Sequence, residues 1–157
     1  MDDIRPAKFQ DIPAIIALGH QALSESQYAG AAINETRARN LLLALIGAQG
    51  EPKTDAAMVL LAFDGDELDG LIIGAIRPAY EVLSINQLSQ VMWYVKPGTG
   101  GRVAIRLLRD LHKWADSLGP MPKIHVAGNT ITDPELTGRL FRMEGFEPSG
   151  TIYYRGE

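Results

Sequence analysis

The apolar positions of this chain change spacing several times, and each change marks an element. Residues 4–7 (IRPA) read as a short edge strand, since proline lacks the N–H that a central ladder needs. Ile12, Ile15, Ile16, Leu18, Ala22 and Leu23 then recur at helical spacing, with Asp11 placed to cap the helix and Pro13 in its first turn. Residues 24–32 (SESQYAGAA) are small and polar, a loop or a broken helix. Asn34 is the expected cap of a second helix over 36–46, with Leu41, Leu42, Leu43 and Leu45 mostly buried, and a second loop covers 47–55.

From residue 57 the period shortens. AMVLLAF (57–63) predicts a strand, DGDE (64–67) carries turn chemistry, and LDGLIIGAI (68–76) is the hairpin partner. LSQVMWYV (88–95) is a further strand, ending at Pro97. Ala104, Leu107, Leu108, Leu111, Trp114, Ala115 and Leu118 then predict the clearest helix of the chain, stopped by Gly119 and Pro120. KIHVA (123–127) predicts a strand, 134–143 a short helix leaving through Gly145 and Phe146, and 151–154 a last strand. No internal repeat or low-complexity tract interrupts this series. The order β α α β β β α β α β describes one α/β domain over residues 1–157 with a mixed sheet.

Composition narrows the chemistry. With 157 residues, 46% hydrophobic and 22% charged, the chain has the balance of an ordinary globular domain. The absence of cysteine excludes disulfides, thiolate metal sites and a cysteine nucleophile. The N-terminus (MDDIRPAKFQD) is charged, and no apolar run approaches the roughly 20 residues of a spanning helix, so no membrane is expected and the expected compartment is cytoplasmic. A net charge of -4 argues against a broad nucleic-acid surface, yet leaves room for a local basic patch that binds phosphate.

Such a patch stands in VKPGTGGRVAIRLL (95–108), where a strand runs through three glycines into a helix. A glycine-rich turn that opens a helix can point several unpaired backbone N–H groups at an anion. Arg102 and Arg106, one turn apart, add charge on one face, and Arg109 and Lys113 continue the stripe. The same residues also describe a tight turn followed by a solvated basic face, and the spacing alone does not separate the two readings. Neither a P-loop nor a dinucleotide fingerprint fits: there is no G-x-x-x-x-G-K-[ST], and no G-x-G-x-x-G follows an early strand.

At this point the sequence resembles the GNAT-type N-acetyltransferases, which take an acetyl group from acetyl-coenzyme A. IRPAKFQDIPAIIAL resembles that family's first strand and helix, VKPGTGGRVAIRLL its coenzyme-binding motif, and LFRMEGFEPSGTIYY its C-terminal helix and strand. The resemblance implies a mixed, mostly antiparallel sheet with a splay between its middle strands, flanked by about four helices. It also implies that Thr99, Gly100, Gly101, Arg102, Val103, Ala104, Ile105 and Arg106 hold the coenzyme phosphates. Trp93, Tyr94 and Val95 would offer backbone groups to the pantetheine arm, with Asn129 across the splay. Trp93 and Val95 also read as core, and Asn129 followed by Thr130 also reads as a turn and cap signal. Two departures from the motif stand out: Thr99 occupies the place of its usual arginine, and the loop is one residue short after Pro97.

The reaction implied is direct transfer of acetyl to a primary amine, of a small molecule or a protein, with no metal. It needs a neutral amine, a proton acceptor and polarisation of the thioester carbonyl, and often an acid for the thiolate. The family often places that acid as a tyrosine where this chain has Phe141, leaving Tyr153 and Tyr154 as alternatives. Glu81 is a candidate base from its position beyond the hairpin, with Glu25 and His20 as others. Glu25 and Tyr28 fall in the segment that shapes the acceptor pocket in the family. His112 and His125 match no recognised metal spacing. The competing reading is a non-catalytic coenzyme A-binding or protein-interaction module on the same fold. Exposed terminal strands would suit a homodimer.

Overall fold

The computed structural model describes residues 3–49, 56–118, 123–128 and 133–150, together with Tyr153 and Arg155. Its elements are β1 (Asp3–Pro6), α1 (Ile12–Ser24), α2 (Glu35–Gly47), β2 (Ala57–Asp64), β3 (Glu67–Pro78), β4 (Asn86–Val95), α3 (Gly101–Ser117), β5 (Lys123–Val126) and α4 (Pro134–Met143). The five strands lie in chain order in one sheet, antiparallel throughout except that β4 and β5 are parallel. Of the expected strand over 151–154 only Tyr153 is among the described residues, and Asn129 lies outside them.

Alternation along the strands builds two cores. Val59, Leu61, Leu71 and Ile73 face α1 and α2, while Leu60, Ala62, Ile72 and Ile76 face α3. Helix α3 contributes Val103, Leu107, Leu108, Leu111 and Ala115, all buried. It packs close because Gly74 has no side chain: a Cβ there would lie 2.8 Å from Leu111 Cδ1 and 3.0 Å from Leu88 Cδ1. The proline in β1 sits on an edge strand, as its missing donor requires.

Two local expectations fail for identifiable reasons. Asp11 makes no side-chain cap on α1. Its carboxylate instead accepts two bonds from the Arg5 guanidinium, at 2.8 and 2.9 Å, and one from Lys8 N–H at 2.7 Å. These bonds, Arg5 foremost, hold the Asp11 carboxyl below its ordinary range despite burial. Asn34 does cap α2, accepting from Arg37 N–H at 3.0 Å, but Leu41 and Leu43 are exposed. Consecutive helical residues are turned about 100° apart, so only Leu42, Leu45 and Ile46 reach the core.

Strand β4 carries the irregularity that matters most. Met92 pairs with Ile73 and Gln90 with Gly74, so Val91 is an extra residue bulged out of the ladder. The bulge shifts the side-chain phase: Leu88 faces α3, and so do Trp93 and Val95, which an unbroken strand would turn the other way. The ladder to β5 ends at Ser89 and Val126, just before the bulge, and β4 continues to Val95 beyond it. The splay implied by the resemblance is this divergence.

Candidate functional site

The end of β4 is held from below and, among the described residues, open at its edge. Lys96 N–H donates to Asp69 O at 2.8 Å, while its ammonium donates to Glu67 at 2.6 Å and lies 3.4 Å from Asp69. Since paired residues alternate along an antiparallel ladder, Tyr94 also faces β3, and the N–H and C=O of Trp93 and Val95 turn toward the edge that β5 has left. Trp93 is buried, and its indole N–H makes no hydrogen bond among the described residues.

The glycine loop follows at once. Gly98 and Gly100 have φ of 91° and 95°, backbone that side chains strongly disfavour. A Cβ on Gly98, Gly100 or Gly101 would meet nothing within 4 Å, so the loop faces open space. No side chain caps α3 and no acidic residue lies in its first turn, which leaves its N-terminal N–H groups and dipole directed at that space. Arg102 and Arg106 are exposed on the first turns, whereas Val103 is buried core, and Ala104 and Ile105 are half-buried. Thr99 is half-buried, and its N–H closes a turn onto Lys96 O at 3.2 Å. Arg109 does not extend an anion site: it forms a two-point bond with Glu144, at 2.8 and 2.9 Å, that ties α3 to the end of α4.

Two clefts open beside β4, on opposite faces of the sheet. On the α3 face, one of about 230 Å³ lies between Trp93, Val95, Gly100, Ala104 and, from α4, Leu136 and Leu140. On the α2 face, one of about 440 Å³ is walled by Leu41, Ala75, Arg77, Glu81, Ser89 and Val91. The first touches β4 just past the bulge, the second just before it. The bulge therefore lies between the two clefts along β4, at the point where pairing with β5 among the described residues has ended.

The expected residues divide accordingly. Glu81 lines the α2-side cleft, in a turn where Tyr80 and Glu81 have φ of 52° and 62°. Glu25 instead accepts a hydrogen bond from the Tyr94 hydroxyl at 2.9 Å. Burial first, then the Glu25 carboxylate, push the Tyr94 phenol far up, so it keeps its proton. Tyr28 is exposed and borders neither cleft, and Tyr153 is 90% exposed. His20 bonds Glu35 at 3.2 Å on the surface. The Phe141 ring packs at a tilt against Trp93 and Phe146, with centroids 5.4 and 5.3 Å away.

Sequence spacing linked nothing to His112 and His125, yet α3 and β5 bring them together with Nδ1 atoms 3.0 Å apart. At that distance one ring donates and the other accepts. Burial first, then the proximity of His125, lower the pKa of His112. No group of three metal-binding side chains occurs among the described residues. Arg77, which the sequence reading passed over, stands in the α2-side cleft. A basic residue near the end of a predicted strand was the available signal.

No family model matches the sequence, and no curated protein is significantly similar to it. Solved structures do match over nearly all of both chains. AAC(6')-Iy in complex with the bisubstrate analogue CoA-S-monomethyl-acetylneamine is 16% identical, with TM-score 0.69 and coverage of 100% of this chain and 99% of that one. A predicted acetyltransferase with acetyl-CoA from Clostridium acetobutylicum is 15% identical, with TM-score 0.68 and coverage of 99% and 96%. The aminoglycoside 6'-N-acetyltransferase AAC(6')-IG of Acinetobacter haemolyticus is 18% identical, with TM-score 0.66 and coverage of 99% and 97%. At such identities the likeness concerns architecture, and in architecture this chain has the fold of the GNAT-type acetyltransferases.

Proposed function

We propose that this protein is an N-acetyltransferase that moves acetyl directly from acetyl-coenzyme A to the primary amine of a small molecule. The observation that carries the reading is the open edge of β4 past Val91, leading without interruption into an uncapped, glycine-lined helix start. In this reading the pyrophosphate lies on the N–H groups of Gly100 to Ile105, and Arg102 and Arg106 meet the outer phosphates. Trp93 and Val95 offer strand-like hydrogen bonds to the pantetheine amides, and the orphaned indole N–H of Trp93 suits the same arm. Asn129, which the family resemblance would set across the splay and which lies outside the described residues, belongs to the same proposal.

The bound thioester supplies an activated acetyl group at the bulge. The acceptor amine enters from the α2-side cleft, where Glu81 holds it as an ammonium and receives its proton, directly or through water. A C–N bond then forms as the C–S bond breaks; the nitrogen loses its remaining extra proton and the coenzyme leaves as a thiol, with one net proton released. Phe141 has no proton to give, and the Tyr94 phenol retains its own. Solvent therefore protonates the thiolate, an easy departure because an ordinary thiol pKa of about 8.5 lies close to neutrality. Tyr94 holds Glu25 through its hydroxyl, so that carboxylate is engaged rather than offered to the acceptor.

Titration calorimetry with acetyl-coenzyme A, on the parent chain and on Gly101→Glu, tests the donor half. A Cβ at Gly101 meets nothing and its φ is not positive, so the substitution is sterically tolerated. A carboxylate in the first turn of α3 even favours the helix. Unchanged melting temperature with lost binding is the expected result, and undiminished affinity would remove the phosphate from this loop. Thiol release across an amine panel tests the other half; binding without release would favour the non-catalytic module.

A further inference from the structure

The α2-side cleft contains an unusual pair of charges. Arg77 at the end of β3 and Glu81 just beyond it both line the cleft, and neither makes a hydrogen bond or ion pair among the described residues. Opposite charges four positions apart on one wall would be expected to meet. Here the chain turns through left-handed backbone at Tyr80 and Glu81, a conformation that side chains disfavour, and Glu81 stays on the wall apart from Arg77. Leu41, Leu45, Ala75 and Val91 supply an apolar part of the lining beside them, while Gln87 and Ser89, also on the wall, are bonded to each other at 3.0 Å.

A guanidinium and a carboxylate, both unengaged above an apolar floor, complement a small molecule that carries both charges and an apolar body. We infer that the acceptor is a free α-amino acid with an apolar side chain. Its carboxylate lies on Arg77, its amine at Glu81, and its side chain on Leu41, Leu45 and Val91. A guanidinium forms two parallel bonds to a carboxylate, which orients the amine as well as binding it. The same Arg77 repels polycations, so polyamines and aminoglycosides are disfavoured in this cleft. The inference rests on the acetyl-transfer reading of the two clefts.

Thiol release from acetyl-coenzyme A by the full chain distinguishes the possibilities, with L-leucine, L-methionine and L-phenylalanine compared with isopentylamine, spermidine and kanamycin. Isopentylamine is leucine without its carboxylate, so the ratio of their kcat/KM values isolates the Arg77 contact. A charge-assisted bond of ordinary strength predicts a ratio of about 10 or more. Arg77→Gln should bring it to within about 3-fold of unity, and Arg77→Lys should leave it intermediate. Acetyl-coenzyme A affinity and thermal melting of the variants show that they are folded. Equal or better turnover of isopentylamine, a preference for spermidine or kanamycin, or a ratio unmoved by Arg77→Gln overturns the inference and leaves acetyl transfer standing. Absence of acetyl-coenzyme A binding, or of thiol release with every amine, overturns the transferase reading and this inference with it.

Discussion

Single residues carry opposing demands in the α2-side cleft. Glu81 occupies backbone that a β-carbon disfavours, although asparagine enters that region more readily. Glu81→Asn therefore relieves strain while removing the carboxylate. The expected outcome is a melting temperature equal to or above the parent's, with kcat/KM for amines reduced about 100-fold or more. Unchanged turnover would show that the carboxylate does not serve the acceptor. His112 presents a different demand, because its pKa is lowered from the ordinary 6.5 in the folded chain. The carboxylates of Asp116 on α3 and Glu144 beyond α4 offset part of that effect, which burial and His125 dominate. Below about pH 6.5 the unfolded chain binds more protons at this position than the folded one, so stability falls as pH falls toward the folded value. Asp11 and Glu144, held below the usual carboxylate range, give up their contribution only at lower pH. Thermal melts between pH 7 and 5 should therefore decline for the parent and decline less for His112→Gln; parallel declines would clear the histidine pair.

At the scale of elements, β4 does what neither neighbouring strand does. Its first half is an ordinary ladder strand between β3 and β5, and its second half, displaced by one residue at Val91, pairs among the described residues with β3 alone. A bulge bends and twists a strand locally, so the loss of β5 and the change of side-chain phase have one origin. Helix α3 supports this arrangement through its close approach to β3 at Gly74, where Leu111 and Leu88 fill the space a side chain would take. Both leucines are fully buried and cannot retreat. Gly74→Val should cost about 1–3 kcal/mol by overpacking, measured by chemical denaturation. An unchanged unfolding midpoint would mean that α3 lies farther from the sheet than described.

For the whole molecule, the sheet separates the two clefts, the α3-side cleft on one face and the α2-side cleft on the other, and in the proposed reaction they take donor and acceptor respectively. No helix among the described residues is long and apolar enough to cross a membrane. Much of the architecture was legible in the chain, because local rules dictate it. Helical spacing located α1 and α3, the turn residues after Phe63 located the β2–β3 hairpin, and three glycines before Arg102 marked the loop. Those signals are properties of neighbours in sequence and survive without knowledge of the rest. Leu41 and Leu43 misled because composition alone does not assign a helical face. The ion pair that diverts Asp11 from capping joins Arg5 to Asp11 across the turn from β1 into α1. By itself, then, the sequence determined the order of elements, the edge position of β1 and the place of the glycine loop at the start of α3, all set by backbone and propensity. Only the tertiary structure decided that Val91 is bulged, that His112 touches His125, that Glu25 belongs to Tyr94, and that Arg77 and Glu81 share one cleft. Each of these depends on strand register or on contact between elements distant along the chain, which no local pattern encodes.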